Sequence, residues 1–182
     1  MKKFILAAVA VIASLTASAQ VYVGGQIGYT RDFDENKTEF AILPEVGYKF
    51  NDSWAAGMVF GYDHIYNNGL SGNMGVINPY ARWTYYSSSN NLVNLFLDGG
   101  VGIDLGSSKY KDSDSSDTAV AWNIGIKPGI AINPTEHFSI LAHIGMLGYE
   151  GANDEAKAIG YTSKFGFNFK TTSLNLGFVY NF

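Results

Sequence analysis

The sequence contains no cysteine, only 4 prolines, and charged side chains at 15% of its 182 positions. Without cysteine there is no disulfide scaffold, no thiolate metal centre, no cysteine nucleophile and no lipidated cysteine behind a leader. The charged fraction lies well below the roughly 25% of an ordinary soluble domain. Mean hydropathy is nevertheless only +0.01, which fits neither a bundle of apolar helices nor a disordered chain. A net charge of −4 and a pI near 5.2 leave no basic footprint for nucleic acid. What the chain has in quantity is aromatic residues (12 Phe, 12 Tyr, 3 Trp) and glycine, 21 in all.

The one continuous apolar run, Phe4 to Leu15, follows Lys2 and Lys3 and precedes Ala17-Ser18-Ala19. A basic start, a short apolar stretch and an A-x-A site make a secretory signal peptide over residues 1–19. The run is shorter than the ~20 apolar residues a spanning helix needs. Gln20, not cysteine, follows the expected cut, so the lipoprotein route is closed. Residues 20–182 are expected to form one domain outside the cytoplasm.

That domain has no helical membrane span in its sequence but alternates with period two in eight segments. They are Val21 to Thr30, Thr38 to Phe50, Ser53 to Ile65, Gly75 to Tyr86, Leu92 to Leu105, Ala119 to Asn133, Phe138 to Tyr149 and Lys170 to Phe182. In the second, Phe40, Ile42, Pro44, Val46, Tyr48 and Phe50 oppose Glu39, Ala41, Leu43, Glu45, Gly47 and Lys49. In the sixth, Val120, Trp122, Ile124, Ile126, Pro128, Ile130 and Ile132 oppose Asn123, Gly125, Lys127 and Gly129. In the seventh, Phe138, Ile140, Ala142, Ile144 and Met146 oppose Ser139, His143 and Gly145. The segments are long against the ~5–6 residues of a mean soluble strand and match the ~9–11 of a membrane strand. Their connections alternate between short turns (Asn51-Asp52, Ser87 to Asn91, Asn133 to His137) and long polar loops (Arg31 to Lys37, Tyr66 to Met74, Gly106 to Thr118, Glu150 to about Phe169). This predicts an all-β fold: an eight-stranded antiparallel up-and-down transmembrane barrel. With an even strand number, both termini lie on the short-turn side, which is the periplasmic side.

The two faces separate a membrane barrel from a soluble one. The apolar face carries aliphatic residues mid-strand, with Tyr48, Phe50, Trp54, Trp83, Tyr85, Phe138, Tyr180 and Phe182 near the short turns. Tyr29, Phe40, Tyr62 and Trp122 lie near the long loops. Two aromatic girdles around an aliphatic band fit two membrane interfaces. The opposite face is glycine-rich, as the narrow interior of an eight-stranded barrel requires. Pro44, Pro79 and Pro128 fall on the apolar face and are expected at bulges or strand ends.

The chain ends Gly177-Phe178-Val179-Tyr180-Asn181-Phe182. Here it resembles the small eight-stranded outer-membrane barrels of the OmpA/OmpX-like, porin-family type, and the resemblance covers essentially all of residues 20–182. It implies that Gly177, Phe178, Tyr180 and Phe182 form the carboxy-terminal signal read by the barrel-assembly machinery. It also implies the outer membrane of a Gram-negative bacterium, contact with its lipid and lipopolysaccharide, and a monomer. Larger members of that family carry a peptidoglycan-binding domain after the barrel; the sequence ends at Phe182, so that function is not expected.

Alignment from the short turns sets Glu45, Arg82, Asp98, Lys127 and His143 at similar heights, all facing inward. Charges so placed form either a gate or, as the narrow lumen favours, a salt-bridge network that plugs the barrel. The acidic stretch Asp112 to Asp117 lacks the glycine and the closing glutamate of a calcium loop, so it reads as a solvated loop, as does Glu150 to Lys157. Phe165, Phe167 and Phe169 alternate with polar residues and either pack on a neighbouring strand or stand exposed to a partner. Barrels resembling the lipid A deacylases use a His-x-Ser pair at the outer rim, but here the pair is His137-Phe138-Ser139, beside a short turn. His64 lies near the rim, but is followed by Tyr66 at that spacing. No nucleophile with its base assembles, and neither a cofactor nor a metal is expected. The expected role is structural or adhesive, displaying four loops; the alternatives are a small porin-like channel and a lipid-modifying enzyme.

Overall fold

Alternating β-branched and aromatic residues build long strands wherever the pattern is unbroken. In the computed structural model, which describes residues 20–34, 36–110, 116–168 and 174–182, six such strands run consecutively. They are β1 (Val21–Asp32), β2 (Lys37–Lys49), β3 (Trp54–Asn67), β4 (Leu70–Ser87), β5 (Val93–Tyr110) and β6 (Asp117–Ile132). β7 (Phe138–Ile144) and β8 (Met146–Ala152) share the seventh position in the wall. A short helix α1 (Asp154–Ala158) follows, and then β9 (Lys164–Asn168) and β10 (Leu174–Asn181) occupy the eighth. All pairings are antiparallel, and β10 closes the circle on β1 over Tyr22–Gly25. The expected signal peptide, residues 1–19, lies outside the described residues.

The faces separate as the alternation requires. Ile126 and Ile124 are 44% and 52% exposed on the outer surface, although both are aliphatic. The outer aromatics stack in pairs near the short turns: Trp54 on Trp83 at 6.2 Å and Phe138 on Phe178 at 6.0 Å. At the long-loop end Trp122 stacks on Tyr149 at 4.9 Å. Inside, Tyr22, Ala55, Phe96, Ala131, Leu141 and Val179 form an apolar layer toward the short turns.

Several local expectations give way. Tyr66 to Met74 is not a loop: β3 and β4 continue to a two-residue turn, Asn68-Gly69, whose φ angles of 46° and 92° suit a type I′ hairpin. The seventh segment is broken at Gly145 (φ 69°), a left-handed position that favours glycine. Pairing with β6 slips by one residue there, from Gly129↔His143 to Ile126↔Leu147. A one-residue slip reverses the faces. Met146, expected on the lipid face, therefore lines the lumen, and Leu147 and Tyr149 face outward.

Pro128 lies opposite this break, between the Gly129 and Ile126 pairs, where β6 makes no ladder pair with the seventh wall position. Pro44 and Pro79 are not at bulges: they sit mid-strand where the β2–β3 and β4–β5 ladders each skip two pairs, with the same register on either side. Glu150 to Lys157 is not a solvated loop either. Glu150 and the residues to Ala152 belong to β8, and Asn153 caps α1, its Oδ1 accepting from Ala156 N at 2.9 Å. Most of the acidic stretch from Asp112, like Phe169 and Lys170 to Ser173, lies outside the described residues.

The face assignment makes a quantitative prediction. Ile126→Arg should cost about 2–4 kcal/mol, and Asn123→Arg, on the lumen face, clearly less. Refolding titrations into lipid vesicles measure both, and equal costs would reverse the faces.

Candidate functional site: a charged lumen

The inner face is rich in glycine because large side chains from neighbouring strands need the space across the lumen. A Cβ at Gly47 would sit 2.1 Å from the Tyr22 ring, one at Gly57 2.5 Å from the Tyr80 hydroxyl, and one at Gly129 2.3 Å from the Phe96 ring. Tyr22, Tyr80 and Phe96 thus reach inward over glycines and surround Arg82.

Arg82 is the hub. Its Nε and Nη2 donate to the two carboxylate oxygens of Asp98, each at 2.7 Å, from directly opposite on β5. A bidentate pair of this kind fixes geometry as well as charge. Nη2 also lies 3.5 Å from Glu45 Oε1. His143 Nε2 donates to the second Asp98 oxygen at 2.8 Å. The Tyr80 hydroxyl donates to Glu45 and meets the Tyr22 hydroxyl at 2.7 Å. The guanidinium carbon lies 4.2 Å from the Phe96 ring centre and 5.2 Å from that of Tyr80, both within cation–π range. The Arg82 and Asp98 side chains are 11% and 7% exposed. Charges this deep must be paired, because removing one partner strands the other in a poor solvent.

Lys127 stands apart. It pairs in register with Asp98, yet among the described residues it forms no ion pair. With the Asn78 amide oriented so that both of its polar atoms find partners, its carbonyl accepts from Lys127 Nζ at 3.3 Å and its amide donates to Val101 O at 3.1 Å. The inward charges therefore do not simply alternate around the wall. Sequence reasoning found Glu45, Arg82, Asp98 and His143 but did not place Tyr22 and Tyr80 in the network. Their signal was the run of inward glycines at matching heights.

The network divides the lumen. Above it, toward the long loops, is a cavity of about 570 Å³ that includes Asp63, Asn78, Asp104, Asn123, Lys127 and Glu150. Below it, toward the short turns, is one of about 350 Å³ lined by Lys49, Thr84, Asn94 and Ser139 among others. Arg82 borders both.

The long-loop end has a partial cover. α1 folds back so that Ala156 and Ile159 are fully buried against Leu70, Met74, Ala119 and Ala121. Just beyond, the Tyr161 hydroxyl faces the carboxylates of Asp63 and Asp104. Burial first, and then the facing carboxylates, push the phenol well above its ordinary range and keep it a donor.

A closed antiparallel barrel with an apolar exterior and a charged interior has few homes other than a membrane. Residues 4–182 match the outer membrane protein beta-barrel domain family. The chain belongs to this family. This outer-membrane barrel is similar in fold to the crystal structure of the N-terminal β-barrel domain of Pseudomonas aeruginosa OprF. The TM-score is 0.53 at 16% identity, over 91% of this chain and 98% of that one. No curated protein matches the barrel in sequence.

Arg82→Ala should destabilise the barrel by about 3–5 kcal/mol, and adding Asp98→Ala should recover part of that loss. Urea titrations of the folded protein in lipid provide the cycle. A near-neutral Arg82→Ala would mean that water, not Asp98, solvates the guanidinium.

Proposed function

We propose that this outer-membrane barrel is a structural, surface-displaying protein whose lumen is sealed by the Arg82 network and whose long-loop end presents four connections to the outside. The observation that carries this reading is the layer in which Arg82, Asp98, Glu45, His143, Tyr80, Tyr22 and Phe96 meet across the barrel, between the two cavities. Adhesion through the loops is part of the proposal. Phe165 and Phe167, 79% and 72% exposed on β9, offer apolar surface for contact. The role assigned is non-catalytic. His137 Nδ1 meets Asn181 O, and the Ser139 Oγ accepts from the Asn181 amide, so these two side chains have separate partners.

A small channel is the second reading. The two cavities are separated by little more than one layer of side chains, so a shift of Arg82 would join them. Planar-bilayer recording separates the readings. The sealed barrel should show no steady current above the bare-membrane baseline; stable open-channel steps would establish the channel.

The proposal extends to targeting. Residues 1–19 serve as a cleaved leader, both termini face the periplasm, and the barrel works as a monomer in lipid and lipopolysaccharide. Gly177, Phe178, Tyr180 and Phe182 act as the assembly signal. Supporting this, the Phe182 backbone N–H donates to Val21 O at 3.1 Å and its ring meets Tyr180 edge-on, so the last residue belongs to the closing seam. Deletion of Phe182 should sharply reduce the protein recovered in the outer-membrane fraction. Full recovery would remove the signal role.

A further inference from the structure

The charges of the wall are sorted by face. Every aspartate and glutamate on the described strands falls on the inward side of the alternation, Asp63, Asp98 and Asp104 among them. Outward, the same strands carry Arg31, His64 and Lys109 as the residues able to hold charge near neutral pH, and all three are basic. Chance would favour the opposite sign, since the chain has 16 acidic residues against 12 lysines and arginines. The three also share one end and one height. Arg31, Thr38, Tyr66, Ser71 and Lys109 form a single register row across β1 to β5. One row nearer the short turns, His64 stands between Phe40 and Asn73. Phe40 and Tyr29 in that row, and Tyr62 one row further down, belong to the outer aromatic girdle, which marks the membrane–water interface. The cations therefore stand at the level of the lipid headgroups. Among the described residues none of them forms an ion pair. Arg31 donates to Thr38 Oγ1 at 2.6 Å and to Asn36 Oδ1 at 2.8 Å, both uncharged. His64 Nδ1 meets Asn73 Oδ1 at 2.9 Å, an oxygen that also accepts from the Tyr62 hydroxyl. The turns at the opposite end carry Asp52 and Glu136 and no lysine or arginine.

We propose that Arg31, His64 and Lys109 form a collar on the outer wall that binds the phosphate groups of lipopolysaccharide in the surrounding leaflet. It rests on the reading above that the long-loop end lies outside in that lipid. Neutral hydrogen-bond partners hold Arg31 and His64 in place without cancelling their charge. Arg31 spends two of its five N–H donors on Thr38 and Asn36, which leaves the others for a phosphate oxygen. Strands about 4.8 Å apart and residues about 3.4 Å apart along them put His64 roughly 12 Å from each of the other two. That spacing suits separate phosphates of membrane headgroups and is too wide for one free phosphate held by all three. Carboxylates on this face would repel the same headgroups, and the alternation places every one of them inside.

The test is native mass spectrometry of the barrel refolded in a neutral detergent and titrated with lipid A, or with the same lipid freed of its phosphates. Heat-modified gel migration checks folding. Lipid A should bind the wild type at least about tenfold more tightly than the phosphate-free lipid. A cation near an anionic surface is worth about fivefold, so Arg31→Gln with Lys109→Gln should weaken lipid A binding by about 25-fold. His64→Gln should weaken it further. Lys37→Gln makes the same change of charge at the same height, but on the inward face beside Glu39, and should leave binding unaltered. Should the double variant fail to fold, the two lipids still decide on the wild type. Equal affinity for both lipids would overturn the proposal, as would equal losses in Lys37→Gln and Arg31→Gln. Displacement of lipid A by an equal concentration of inorganic phosphate would assign the site to the free anion and overturn it too. Orientation is read separately, by protease cleavage of the long loops on intact cells, so an error there is distinguishable from a failure of the collar.

Discussion

Hydrocarbon offers a backbone no hydrogen bonds, and the rest of this barrel follows from that. Each unpaired N–H or C=O in lipid costs several kcal/mol, so a sheet that crosses must close on itself. Closure with eight strands leaves a lumen only wide enough for side chains. The outside must then be apolar, and the polar groups that the pattern sends inward must satisfy one another. The Arg82–Asp98 pair, seated among Glu45, His143 and aromatic rings, is how this chain meets that demand. Inner glycines are its geometric condition, since Tyr22, Tyr80 and Phe96 could not cross the lumen over larger residues.

The two ends of the barrel solve different problems. At the short-turn end the strands pair fully around the ring and an apolar layer of Tyr22, Phe96, Leu141 and Val179 backs the network. At the long-loop end β4 and β5, at 18 residues each, outrun the ~9–11 a membrane strand needs. There α1 supplies the cover, with Ile159 and Ala156 in a second small core and Tyr161 between two carboxylates.

Much of this was legible in the residues. Strand number, order, face and the inward positions of Arg82, Asp98 and His143 all follow from strict period-two alternation, which allows one register once one face is lipid. Legibility ended where alternation was locally overridden. Gly145 inserts one residue and turns Met146 inward, a change that no pattern count over Phe138 to Tyr149 reveals. Asn68-Gly69 was a hairpin signal inside what read as a polar loop, because strands that leave the membrane lose their apolar face and look like loops. The helix of residues 154–158 is only 5 residues long and owes its place to tertiary burial of Ile159, not to its own propensity. Lys127 shows the limit for sites: register put it opposite Asp98, but Asp98 pairs with Arg82 and His143 instead.

The central claim is that one layer of side chains separates two aqueous compartments. The absence of native cysteine makes this directly measurable. Single cysteines at Asn123, in the upper cavity, and at Thr84, in the lower, can be exposed to a small membrane-impermeant thiol reagent. The reagent is added to one side of oriented proteoliposomes at a time. The account predicts that each cysteine reacts only from its own side, and that Arg82→Ala in the same background opens both to either side. Reaction of both cysteines from one side in the otherwise unaltered barrel would contradict it.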